Sequence, residues 1–269
     1  MKKWIFCASV LLMCASGYSM WNEDGVISST FAVELNVKGA FYRSFYYDGD
    51  NSSLSDDKSQ LNLIPTIRIR PVSGLEFNFS YPFRDDDYKN STGVWGPMLG
   101  IKYGGPSSAG FLEFVFPAGD KDLLGNGETP RPALVFGGSS FYGNRESFGV
   151  RLHYWYFWDF NKHSADEVYF LVRPEFDFGM IRLGVGFPFE FLFANSSWWV
   201  SNTPGNVRAA GIDDDFGYTM AISIEPKVTV DLGRFDVEPY FSIPLWEYTD
   251  ENAALYDGFT LGCAFRVKF

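Results

Sequence analysis

The chain has 269 residues, a formal net charge of −11, 46% hydrophobic and 19% aromatic residues, and a mean hydropathy of −0.09. The acidic balance argues against a nucleic-acid partner, which calls for a basic surface. No apolar run reaches the ~18 residues of a membrane-spanning helix, so none is expected. High aromatic content at neutral hydropathy fits strands in which apolar and polar residues alternate.

Residues 1–19 read as a secretory signal peptide, leaving 20–269 as a single domain. Lys2 and Lys3 form the charged start, Trp4 to Met13 is an apolar run too short to span, and Ala15, Gly17 and Ser19 are small residues suited to cleavage. Losing Lys2 and Lys3 makes the mature chain two units more negative. Cys7 and Cys14 leave with this segment, so Cys263 has no internal disulfide partner and suits a small outward hydrophobe.

Beyond it, period-2 segments recur to the end of the chain. Twelve strands are predicted. The first four span 31–42, 61–70, 75–83 and 95–103, with Phe31, Leu61, Leu75 and Trp95 opening their outward faces. The fifth and sixth, 110–117 and 131–140, alternate least clearly. The seventh to ninth span 148–158, 167–176 and 181–191. In the ninth, Ile181, Leu183, Val185, Phe187, Phe189 and Phe191 alternate with Arg182, Gly184, Gly186, Pro188 and Glu190. The tenth and eleventh span 217–230 and 235–246.

Connections alternate between short turns and long polar loops, the long ones at 43–60, 84–94, 118–130, 159–166, 192–216 and 247–258. Pro65, Pro97, Pro174, Pro188, Pro226, Pro239 and Pro244 fall inside strands, where each removes a ladder donor, so local distortions are expected.

The last strand, 259–269, puts Phe259, Leu261, Cys263, Phe265, Val267 and Phe269 on one face and Thr260, Gly262, Ala264, Arg266 and Lys268 on the other. It is long enough to cross a bilayer as a strand, which takes about 9–11 residues. Ending on Phe269, it resembles the C-terminal strand of bacterial outer-membrane β-barrels. The resemblance implies an all-β fold: a transmembrane up-and-down antiparallel barrel of about twelve strands in a Gram-negative outer membrane, porin-like, with both termini in the periplasm. It implies Phe269 as an assembly signal read by the barrel-assembly machinery, and outer-membrane lipid and lipopolysaccharide as surroundings.

Inward positions then carry much of the charge. Arg70 with Glu76, and Asp177 with Arg182, flank short turns and can face each other; Lys227 can meet Asp236 or Glu238. Lys102, Glu113, Arg173, Glu175, Arg266 and Lys268 also point inward, mostly in the half nearer the short turns. Arg70, Glu76, Lys102, Asp177, Arg182, Glu238, Arg266 and Lys268 are the candidate lumen lining. They act either as a packing network that narrows the lumen or as a selectivity lining. Twelve strands lie between barrels filled by side chains and wide porins, so a narrow pore for a small hydrophilic solute is the first expectation. A non-conducting structural or surface-interaction barrel is the second.

The outer loops are acidic, notably Asp85-Asp86-Asp87 and Asp213-Asp214-Asp215; solvation of the loops is the first expectation and divalent-cation binding that bridges to lipopolysaccharide the alternative. Trp198-Trp199 with Tyr154 to Trp158 suit part of an outer aromatic girdle, with a sugar-stacking platform as the alternative. His153 is expected in the lumen and His163 in a loop, with no nucleophile motif around either. An outer-membrane barrel enzyme is only the third reading, and no catalytic residue, cofactor or metal site is expected.

Overall fold

A computed structural model describes residues 31–44, 59–86, 91–94, 96–119, 132–159, 166–195, 216–249 and 258–269. The signal segment, His163, Trp198-Trp199, Trp95 and most of the acidic loop residues lie outside them.

The described residues form β1 (Ala32–Ser44), β2 (Ser59–Val72), β3 (Leu75–Ser80), β4 (Phe83–Asp86), β5 (Ser91–Val94), β6 (Met98–Gly104) and β7 (Ser108–Val115). They continue with β8 (Ala133–Gly143), β9 (Phe148–Asp159), β10 (Asp166–Asp177), β11 (Ile181–Asn195), β12 (Phe216–Asp231), β13 (Phe235–Thr249) and β14 (Gly258–Lys268). Each pairs antiparallel with its neighbour, and β1 pairs with both β2 and β14, so the sheet closes on itself. β3 runs on into β4 and β5 into β6, giving a closed barrel of twelve staves. Closure removes the exposed edges that an open sheet presents.

The breaks within those two staves fall at proline. Pro82 separates β3 from β4, and Pro97 separates β5 from β6. Backbone bonds still carry the ladder past both: Tyr81 N donates to Pro65 O at 3.0 Å, and Phe116 N donates to Pro97 O at 2.8 Å. The expected long loop over 84–94 is therefore shorter than read, because β4 and β5 extend the hairpin on both sides. The acidic run at 85–87 looks like solvated loop, yet Asp85 accepts a hydrogen bond from Thr92 across the extension. Two of the other strand prolines, Pro174 and Pro244, leave similar marks, while Pro239 pairs with Cys263 in unbroken register. The β10–β11 ladder steps from Val172↔Phe187 to Glu175↔Gly184 around Pro174, and the β12–β13 register shifts at Ile222/Ser223, where Ser223 faces Pro244.

One end of the barrel carries the short turns, and two of them share a local code. In Asp177-Phe178-Gly179 and Asp231-Leu232-Gly233, the Asp Oδ1 accepts the glycine N–H, at 2.8 and 2.7 Å. Both glycines have positive φ, 85° and 83°, which L side chains rarely adopt. The Asp side chain caps the turn while the glycine permits the reversal.

The outer face is apolar. Leu183 is 41% exposed and Val185 38%, and Leu35, Ile67, Phe79, Ile101, Phe170, Leu261 and Phe265 are exposed with them around the circumference. A water-soluble surface does not hold a contiguous apolar band of this kind. The alternate residues of the same strands turn inward, and there the charge collects.

Candidate functional site: the barrel lumen

Period-2 alternation puts charged residues of neighbouring strands side by side on the inner face at the turn end. Glu34 on β1 stands between β2 and β14 and holds three cations. Its Oε1 lies 3.2 Å from Arg68 Nη1 and 2.9 Å from Arg266 Nε, and its Oε2 accepts a hydrogen bond from Arg70. Arg70 Nε also donates to Glu76 Oε2 at 2.6 Å, and Glu76 is the register partner of Lys102. Arg266 reaches on to Asp236 at 3.5 Å and Glu238 at 3.3 Å. Lys268 pairs with Asp236 at 2.8 Å, and Lys227 with Glu238 at 2.8 Å. Because β1 and β14 close the barrel, this network ties the first strand to the last.

A second group sits on β9–β12. Arg151 grips Glu175 with two hydrogen bonds, at 2.7 and 3.1 Å, and Arg173 Nη2 donates to Glu225 at 2.6 Å. Arg182 bonds Asp177 Oδ2 through Nε at 3.2 Å and Nη2 at 3.1 Å, while the other Asp177 oxygen caps its turn. Gly184 makes room for this group: a Cβ there would stand 2.8 Å from Arg173 Cδ. Between these side chains lies a cavity of about 20 Å³, lined also by Lys227, Thr229 and Glu238.

Toward the loop end the inner face becomes apolar. Ile64, Met98, Phe111, Val115, Ala133, Val135, Trp155, Tyr169 and Leu171 form one cluster, with Phe157 packed against it. Trp155 stacks on Tyr169 with ring centroids 5.0 Å apart and planes 9° apart, and His153 sits between Phe111 and Tyr169. Trp155 is 1% exposed and Leu171 is fully buried, so these two side chains meet no open water. Beyond the cluster polarity returns: Arg84 Nε donates to Asn62 Oδ1 at 2.9 Å.

The eight residues singled out from sequence all fall on the inner face. Arg70–Glu76, Asp177–Arg182 and Lys227–Glu238 meet as their hairpins suggested, while Arg266 and Lys268 share Asp236. Sequence reading missed the Glu34 hub, the Arg151–Glu175 and Arg173–Glu225 pairs, and the aromatic belt. Cys263 faces outward and is exposed, and Phe269 is exposed with its N–H bonded to Val33 O at 2.9 Å. Among the described residues there is no group of three or more metal-ligating side chains.

No protein-family model and no curated protein matches the chain. Solved structures do. An outer-membrane channel from Pseudomonas putida F1 aligns over 92% of this chain and 98% of its own, at 12% identity and a TM-score of 0.61. The β-domain of the Bordetella autotransporter BrkA aligns over 89% of this chain and 100% of its own, at 9% identity and a TM-score of 0.46. The first likeness is one of fold: this chain is a closed antiparallel barrel of twelve staves, and it shares that architecture with the outer-membrane channel.

Proposed function

We propose that the protein is a narrow outer-membrane channel for small hydrophilic solutes, with its turn end and both termini facing the periplasm. The observation that carries this reading is the turn-end lumen, where charged side chains of both signs surround a cavity. A buried ion pair is weak support for stability, because desolvation offsets most of its attraction. A barrel that had only to be filled could use apolar side chains throughout, as this one does nearer the loop end. Charges kept along an inner wall fit a route for polar cargo. The apolar outer band supports the membrane location, and the likeness to an outer-membrane channel agrees with it. On this reading Phe269 is the assembly signal: its deletion should reduce folded barrel, measured by heat-modifiable mobility.

The aromatic belt favours a second reading, a non-conducting barrel whose working surface is its outer loops. Planar-bilayer recording of the folded protein separates the two. Discrete conductance steps are expected from the channel. Silence from protein shown to be folded would remove the channel reading.

A further inference from the structure

The inner wall differs around its circumference, and the arc formed by β1 to β3 carries buried polar atoms that the described side chains leave unmet. We propose that passage through the lumen is off-centre, along this arc, and that the arc takes neutral solutes rich in hydroxyl groups.

The arc is polar along most of its length. From the loop end to the turn end, the inner positions of β2 run Gln60, Asn62, Ile64, Thr66, Arg68 and Arg70, so one aliphatic residue interrupts five polar ones. Thr66 lies between Asn36 on β1 and Ser80 on β3, and its hydroxyl bonds that of Ser80 at 2.8 Å. Beside Ile64 the β1 partner is Lys38, whose ammonium leans over the Tyr240 ring, 5.3 Å from its centroid. The arc of β8 to β10 instead turns Val135, Trp155 and Leu171 inward.

Hydrogen-bond capacity on the polar arc exceeds what the wall uses. Arg68 is 1% exposed and donates to Glu34 through Nη1, while its Nε and Nη2 have no partner among the described residues. Glu76 gives Oε2 to Arg70 and leaves Oε1 unmet; Asn78 gives Nδ2 to Glu113 and leaves Oδ1 unmet. Arg68 and Asn78 are register partners, and Glu76 is the next inner residue of β3, so free donors and free acceptors stand side by side. Nearer the loop end, Asn62 accepts from Arg84 and leaves its own Nδ2 unmet. Buried polar atoms are rarely left so, which calls for water or the polar groups of a solute along this arc. Charge does not choose the solute, because Arg68 is paired with Glu34 and Arg70 with Glu76. The mixture of donors and acceptors does. A hydroxyl group both donates and accepts, so it answers both kinds of free atom.

Passage along the arc rests on the channel reading above; the entry of small aqueous molecules to it does not. Thiol labelling tests that entry. Thr66→Cys and Asn78→Cys on the polar arc, and Val135→Cys and Leu171→Cys on the other, are made singly in a background without native cysteines. Each folded barrel in micelles is treated with a small water-soluble methanethiosulfonate. The first two are expected to react many-fold faster than the last two. Equal rates, or no reaction at 66 and 78, in variants that keep heat-modifiable mobility would overturn the polar path. Swelling of proteoliposomes tests the solute class with erythritol, against betaine, which is of similar size and carries no hydroxyl. Erythritol is expected to enter faster, and to be slowed several-fold by Asn78→Leu, or by Thr66→Val if Asn78→Leu does not fold. Equal entry of the two solutes, or erythritol entry unchanged in the folded variant, would overturn hydroxyl recognition by this arc. The bilayer recording keeps the readings apart. A silent wild type that labels at 66 and 78 loses passage and keeps a hydrated arc. A conducting wild type that labels faster at 135 and 171 keeps the channel and loses the polar path.

Discussion

The turn-end lumen and the belt above it are built from the same strands and solve opposite problems. At the turn end, partners come from hairpin neighbours or from two strands away, and charge is neutralised in pairs. In the belt, bulk comes from one arc of the barrel. β2 and β6 to β10 supply Ile64, Met98, Phe111, Trp155, Tyr169 and Leu171, while inner positions of β12 and β14 hold Ala221, Gly262 and Ala264. Small residues make room for large neighbours: Tyr240 lies over Gly262, where a Cβ would overlap its ring. The contrast teaches that polarity in this lumen is set by depth, and bulk by position around the circumference.

The sharpest way to break the turn-end half is to remove its hub. Glu34→Gln takes the carboxylate from three cations at once. Arg70 keeps Glu76, and Arg266 keeps Asp236 and Glu238, but buried Arg68 loses its ion pair. Breaking a buried pair on one side costs about 3–5 kcal/mol. Urea unfolding in micelles should show a loss of that order, and a midpoint equal to wild type would mean the hub does not hold the β1–β14 seam.

The belt should answer to Trp155→Ala. Truncating a buried Trp costs about 3–5 kcal/mol through lost contacts and the cavity left behind. If the belt is the constriction, conductance should rise while stability falls. Wild-type conductance in a stable, folded variant would place the constriction elsewhere.

Much of this contrast was written in the sequence, but unevenly. The outward phase of β11 and the pairs Arg70–Glu76 and Asp177–Arg182 were readable because a tight turn fixes the register of its hairpin. Glu34 was not, because its partners join the first strand to the last, and only closure brings Arg266 to it. Arg173–Glu225 spans β10 to β12 across Gly184 and Gly186 on β11, a reach that no strand-by-strand reading supplies. The belt hid in β7 and β8, where Gly137-Gly138-Ser139-Ser140 blurs the alternation.

On the outer face, Val185→Arg sets a guanidinium against lipid, which costs about 2–4 kcal/mol near the midplane. Gly184→Ser, one residue away on the lumen face of the same strand, is the control for it. The structure makes that control less neutral, since the added side chain must displace Arg173. Folded yield should still fall further in Val185→Arg. Spin labels at 183 and 185 should be accessible to an apolar relaxant, and labels at 184 and 186 should not; the reverse pattern would invert the barrel's facing.

The smallest effect belongs to the rim. Arg182 and Asp177 pair at 3.1 Å, but the Arg182 side chain is 40% exposed, so water competes for both charges. Exposed pairs contribute about 0–1 kcal/mol. Asp177 also caps its turn through the oxygen that Arg182 does not use, and Arg182→Gln leaves that bond to Gly179 intact. The variant should therefore unfold within about 1 kcal/mol of wild type. Arg182→Glu should lose more, because it sets a carboxylate against Asp177. If Arg182→Gln instead costs as much as Glu34→Gln, the rim is part of the buried network, and the boundary between solvated mouth and packed lumen lies nearer the turns than the exposure of Arg182 implies.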